Sequence, residues 1–175
     1  MNRLRTVLLL ILVAGLLSSC SNLDIQTLNQ RAVELRNSGD IDGAIARLES
    51  IKDLNPSFPQ THYNLGIAYF EKKDYEKAIK ALNDSINIKS NFAEAYYALG
   101  VTYENMALAR EEEIQNDVQR SEASKFIVNC LNKSIEAYSN YLKYAKVADD
   151  KEKIQSKIEI LKNDIKKYTS QQESE

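Results

Sequence analysis

Glycine and proline are scarce in this chain of 175 residues, and they are unevenly placed. The glycines are Gly15, Gly39, Gly43, Gly66 and Gly100, the prolines are Pro56 and Pro59, and neither type occurs after Gly100. The whole stretch from Val101 to Glu175 thus lacks the two strongest breakers, which excludes a turn-rich sheet protein and favours long helices. Histidine is almost absent, His62 standing alone. A nucleophile–base–acid triad needs a base and an orienting acid side by side, and no such set stands out, so no catalytic residue is assigned and His62 reads as a packing side chain. Only Cys20 and Cys130 carry thiols, with no CxxC or HExxH spacing, so no metal site and no cofactor are implied. Strong charge of one sign is lacking too. The formal net charge is −2, or −4 without Arg3 and Arg5, which gives no electrostatic footprint for nucleic acid. The Lys residues are interspersed with Asp and Glu, and the Glu111-Glu112-Glu113 run reads as a solvated face. Trp is missing, but ten Tyr and four Phe supply enough aromatic mass for the core of one domain.

The first twenty residues have the build of an address. Arg3 and Arg5 precede the apolar stretch Val7 to Leu17, which is too short to span a bilayer core of about 30 Å, and small residues follow. Leu17-Ser18-Ser19-Cys20 resembles the lipobox of bacterial lipoprotein signals. The resemblance implies a signal peptide over residues 1–19, removed so that Cys20 becomes the lipidated N-terminus, with residues 20–24 as a short tether. An ordinary secretory signal with an incidental Cys, or an uncleaved anchor, is the competing reading. Ser21 in place of the Asp that retains lipoproteins at the inner membrane of enteric bacteria points to the outer membrane, facing the periplasm. Two or three acyl chains would hold the protein at the bilayer, where one chain binds only marginally.

The remainder repeats itself with a period of about 34 residues. Tyr63, Leu65-Gly66 and Tyr69 fall on Tyr97, Leu99-Gly100 and Tyr103, while Asp40, Ala44-Ile45 and Leu48 fall on Asp74, Ala78-Ile79 and Leu82. Residues spaced by four, such as Leu65 with Tyr69 and Ala78 with Leu82, mark helical faces, and Ser38-Gly39-Asp40 and Lys73-Asp74-Tyr75 are turns in which Asp caps the next helix. The pattern resembles the tetratricopeptide repeat, W-x2-L-G-x2-Y…A-x3-F…P. The implied fold is all-α, a solenoid of helix-turn-helix units over 25–146, divided into 25–58, 59–92 and 93–146. Gly66 and Gly100 each cost a helix interior about 1 kcal/mol. In this family the small residue lets the two helices of a unit pack closely.

The third unit departs from the frame by about 22 residues, an insertion placed near 107–124. Both of its helices are expected to be extended and to meet near Asn116 to Glu122, the second running from Phe126 to Ala145 with Ile127, Leu131, Ile135, Tyr138 and Leu142 on one face. Cys130 is expected to be a buried thiol. Ile154, Ile158, Leu161, Ile165 and Tyr168 then define a capping helix over 149–168, led by Asp149 or Asp150, and 169–175 reads as a disordered polar tail.

In tetratricopeptide domains the first helices of successive units line a concave groove. Matched positions place Asn29, Val33 and Arg36 there in the first unit, Tyr63, Ile67 and Phe70 in the second, and Tyr97, Val101 and Glu104 in the third. Such rings suit an extended peptide or a partner helix, although they also pack on one another in this family. The subfamily that clamps a terminal carboxylate places Lys, Arg and Asn where this chain has Val33, Glu94 and Ala98. The expected function is a scaffold of the bacterial cell envelope that binds a protein or peptide partner, in envelope, pilus or secretion assembly. The alternative is a module that binds a small apolar ligand in support of a transporter. An enzyme is a third class that no residue pattern favours, and the oligomeric state is not encoded in any feature of the chain.

Overall fold

A computed structural model describes residues 24–114, 117–146 and 149–172. The expected signal peptide, Cys20 and most of the expected tether lie outside them. The described residues form seven helices: α1 (24–37), α2 (Ile41–Leu54), α3 (Pro59–Glu71), α4 (Tyr75–Ile88), α5 (Ala93–Glu112), α6 (Asp117–Tyr144) and α7 (Lys151–Gln172). They fall into two compact units, one ending at Ser57 and one beginning at Phe58.

In the first unit α1 and α2 bury Ile25 and Ala32 and Ala44, Leu48 and Ile51. Gly39 turns the chain with φ +90, a conformation that costs an L side chain about 1–2 kcal/mol. The Asp40 carboxylate then accepts from Gly43 N at 2.9 Å and starts α2.

The second unit repeats this device one period later. Lys73, the counterpart of Gly39, takes φ +62 despite its side chain, and Asp74 accepts from Lys77 N to cap α4. The Asp74 carboxyl is held below its ordinary pKa, first by its hydrogen bond with Lys77. Pro59 opens α3, where its missing N–H is no loss. Close helix approach is visible at both inner glycines. A Cβ on Gly66 would lie 2.6 Å from Leu82 Cγ, and one on Gly100 would lie 2.8 Å from Tyr138 Cε1. The backbone of each pair is also tied: Ser85 Oγ donates to Pro59 O, and Ser134 Oγ to Gly100 O, both at 2.9 Å.

The insertion resolves into helical increments. Helix α5 has 20 residues against 13 in α3, and α6 has 28 against 14 in α4. The extra residues are therefore one heptad on α5 and two on α6. Because α3 and α5 begin at equivalent positions and α4 and α6 end at equivalent positions, both additions lie at the tip of the hairpin. Heptad steps keep the inward stripe facing its partner, with a drift of only about 20° each.

Three expectations are corrected here. Helix α5 ends at Glu112, short of Asn116–Glu122, and α6 begins at Asp117, well ahead of Phe126. The run Glu111 to Glu113 meets the negative C-terminal end of the α5 dipole, where further negative charge opposes continuation of the helix. Helix α7 continues to Gln172, through residues assigned to a disordered tail. The Asp150 carboxylate accepts from Tyr141 OH at 2.9 Å, and it is the Asp150 carbonyl that receives Ile154 N. The stripe of α7 faces inward: Ile154, Ile158 and Leu161 are buried with Ile127, Leu131 and Tyr138 of α6. Cys130 is buried there as well, and burial pushes its thiol pKa up.

Candidate partner-binding groove

The nine groove positions recur at i, i+4 and i+7 on α1, α3 and α5, which places each trio on one stripe of its helix. On α1, Val33 and Arg36 are half-buried, but Asn29 is only 3 % exposed and its amide donates to Ile25 O at 3.0 Å. Asn29 thus belongs to the interior of its unit, a correction to its assignment as an open contact. Its short side chain is held against the preceding turn.

In the second unit, Tyr63 and Ile67 pack on the cluster that holds Leu82 and Ala98, which joins α3 to α4 and α5. The Tyr63 ring lies 5.3 Å from Phe92, and Lys89 Nζ stands 4.4 Å from the same Phe92 ring. Phe70 is half-buried, 6.1 Å from Tyr75. Tyr97 is the most open ring of the set, 38 % exposed, yet it is held by Tyr138 at 5.8 Å and by Tyr141 at 5.4 Å. Tyr141 is itself fixed by its bond to Asp150, and burial followed by that carboxylate raises its phenol pKa. A ring backed on two sides keeps its exposed face in place without spending side-chain entropy on contact.

Farther along α5 the groove closes. Val101 packs into the core shared with α6 and α7. Glu104 is not a free contact: its side chain is 13 % exposed and its Oε2 accepts from Lys157 Nζ of α7 at 2.5 Å. Its Oε1 and the neighbouring Tyr138 hydroxyl are both buried without a hydrogen bond of normal geometry, despite their proximity. Burial first, and then the Glu104 charge, drive the Tyr138 phenol pKa far upward. The capping helix therefore occupies the part of the stripe that sequence matching left open.

Sequence matching missed Tyr138, Tyr141 and Lys157 as partners of the stripe. The first two were within reach. Moving the register so that Ser134 falls on Ala78 also puts Tyr138 on Leu82, a small-x3-aromatic signature displaced by the insertion. Lys157 carries no repeat signal because it belongs to the cap. His62, read as packing, is buried. Two cavities of about 820 and 890 Å³ lie toward the hairpin tip, and none of Tyr63, Phe70 or Tyr97 is in their walls.

A family model described as TPR repeat matches residues 32–73 and 68–106. No curated protein sequence matches the chain. Among solved structures, the Yersinia enterocolitica type III secretion translocator chaperone SycD is similar, at 12 % identity and a TM-score of 0.62, over 80 % of this chain and 84 % of that one. The first TPR of Spaghetti (RPAP3) bound to the HSP90 peptide SRMEEVD is similar over 83 % of this chain and 90 % of that one, at 16 % identity and a TM-score of 0.55. The Sgt2 TPR domain from Aspergillus fumigatus is similar over 84 % of this chain and 82 % of that one, at 17 % identity and a TM-score of 0.57. At such identities the likeness concerns the fold.

Proposed function

We propose that this chain, whose residues 32–106 carry tetratricopeptide repeats, is a non-enzymatic, lipid-anchored scaffold of the bacterial cell envelope that holds a segment of a partner protein on the aromatic stripe of α3 and α5. The observation that carries the reading is Tyr97, an exposed ring immobilised by Tyr138 and Tyr141 on the helix against which Tyr63 and Ile67 of α3 pack. A fixed amphipathic ring of this kind is the usual anchor of a protein interface. The RPAP3 repeats, of the same fold, were solved with a peptide bound. A terminal-carboxylate clamp is not the mode favoured here, since Glu94 is exposed and Ala98 is buried where that mode needs cations. The partner is accordingly an internal segment, extended or helical, of an envelope protein.

Anchoring is proposed from Leu17-Ser18-Ser19-Cys20, with outer-membrane placement facing the periplasm from Ser21. The role in envelope, pilus or secretion assembly belongs to the same proposal. The test is a photoreactive residue at Tyr63 or Tyr97 in living cells, followed by identification of the captured molecule. Reproducible capture of one envelope protein supports the reading. Capture of no protein at either position sinks it in favour of the small-ligand module. Incorporation of labelled palmitate, abolished by Cys20→Ser, tests the anchor separately; unchanged labelling in that variant would remove it.

A further inference from the structure

We propose that the tip of the long hairpin, together with α7, forms a second binding site, one for the alkyl chain of a small amphiphile with a single anionic head group. The cavity of about 820 Å³ lies between α5, α6 and the flank of α7 that carries Ile160 and Leu161. Its size falls in the range of small-molecule sites, about 300–1,000 Å³. Its floor is apolar, built from Ala107, Ile127, Leu131 and Leu161. Its lips are Leu108 and Ile160, which leave 54 % and 60 % of their surface in water. Two large aliphatic side chains facing solvent across an apolar floor are unfavourable unless something covers them.

The shape decides what fits. The wall supplied by α7 runs from Lys153 to Tyr168, about 22 Å at the helical rise. Spread along that length, the volume leaves a mean cross-section of roughly 40 Å². The gap is also crossed by the 2.5 Å bond from Lys157 to Glu104. A helix about 10–12 Å wide cannot enter beneath that crossing. An extended peptide would bring N–H and C=O groups that need partners, and the floor side chains offer none. An alkyl chain needs no partner and gains from every methylene it hides.

Charge selects the head group. Lys157 pairs with Glu104, Lys167 pairs with Asp164 at 2.9 Å, and Glu111 and Arg120 share the far end, which leaves Lys153 in excess. Lys153 sits in the first turn of α7, where the helix dipole adds to its attraction for one negative charge. The site draws on the departure from the regular repeat, and of the groove positions it shares only Glu104, so it stands apart from the partner stripe.

The test uses the full chain in membranes and a dodecanoate carrying a diazirine near its methyl end. After irradiation and digestion, label should be found on peptides containing Ile127, Leu131 or Ile160, and excess unlabelled dodecanoate should displace it. Ile160→Glu and Lys153→Glu, both at exposed positions, should each reduce that labelling by roughly tenfold, with helicity by circular dichroism unchanged. Label that excess dodecanoate does not displace, that spreads over the chain, or that survives both substitutions overturns the site. Equal labelling by the matching diazirine dodecylamine overturns the anionic head. Photocapture at Tyr97 in the Ile160→Glu chain should be unaffected, which separates this site from the groove.

Discussion

The second and third units apply one packing rule to different lengths. In α3 and α4 the rule is Gly66 against Leu82; in α5 and α6 it is Gly100 against Tyr138. The register of each pair is fixed by a serine hydroxyl bonded to a backbone carbonyl of the first helix. What differs is the turn. The second unit stops α3, bends at Lys73 and restarts with Asp74 as cap. The position equivalent to Asp74 in the third unit is Cys130, which has no oxygen to offer the free N–H groups of a helix start, and α6 runs through it. A repeat is thus defined where its helices touch, and its length is set by where a cap is supplied.

The largest effect expected from disturbing this comparison is at the glycines. Gly66→Leu and Gly100→Leu should each destabilise the chain by roughly 1–3 kcal/mol through overpacking, with Gly100 at the upper end because a fully buried ring yields less than a leucine. Chemical denaturation should show this, and Tyr138→Leu should partly rescue Gly100→Ala while doing nothing for Gly66→Ala. Equal responses at both sites in the Tyr138→Leu background would show that the two contacts are not local.

Tyr138→Phe comes next. Removing a buried hydroxyl that lacks a proper partner should stabilise the fold by about 1 kcal/mol. The folded-state pKa of this phenol lies above its ordinary value of 10.0, so below pH 10 its ionisation does not affect folding, and as the pH rises beyond 10 the unfolded chain ionises first and stability is lost. The variant should therefore unfold at higher pH than the parent, as followed by circular dichroism.

Asp74→Ala should cost about 1 kcal/mol and Asp74→Asn less, since an amide oxygen still caps. With its folded pKa below 3.8, Asp74 stabilises above that pH and ceases to do so as the pH falls through the lowered value. The pH dependence below about 4 should accordingly be shallower in the Ala variant. Cys130→Asp, by contrast, would bury an uncompensated acid and should weaken the hairpin without converting it to the shorter form; measured helicity that fell to that of a broken α6 would argue for the cap alone.

The smallest effect is expected at the turns. Lys73→Gly should stabilise by roughly 0.5–1 kcal/mol and Gly39→Ala should cost about as much, the strain of positive φ being partly offset by the smaller unfolded-chain entropy of the non-glycine residue, with no neighbour within 4 Å of a Cβ at Gly39 to confuse the result. Thermal melts of the two variants should move in opposite directions.

Legibility in the sequence followed the same physics. Helix boundaries at Asp40, Asp74 and Pro59 were readable because a cap or a proline is a local signal. The inward stripe of α7 was readable because its spacing is helical. The end of α5 was misplaced because no Gly or Pro marks it, and the one signal there is weak, three glutamates set against the helix dipole. Of the candidate groove, the placement of the α3 trio and of Tyr97 on one face of their helices was legible from helical spacing. The burial of Asn29 and the capture of Glu104 by Lys157 depend on packing partners that a repeat register does not encode.

Because the hairpin grew by whole heptads, its reach and its aim are independent quantities. Each further heptad on an arm would carry the tip outward by about 10 Å while presenting the same side chains to the same neighbours. Evolution can thus tune how far this hairpin extends by telescoping one loop of it, leaving the aromatic stripe at its base untouched.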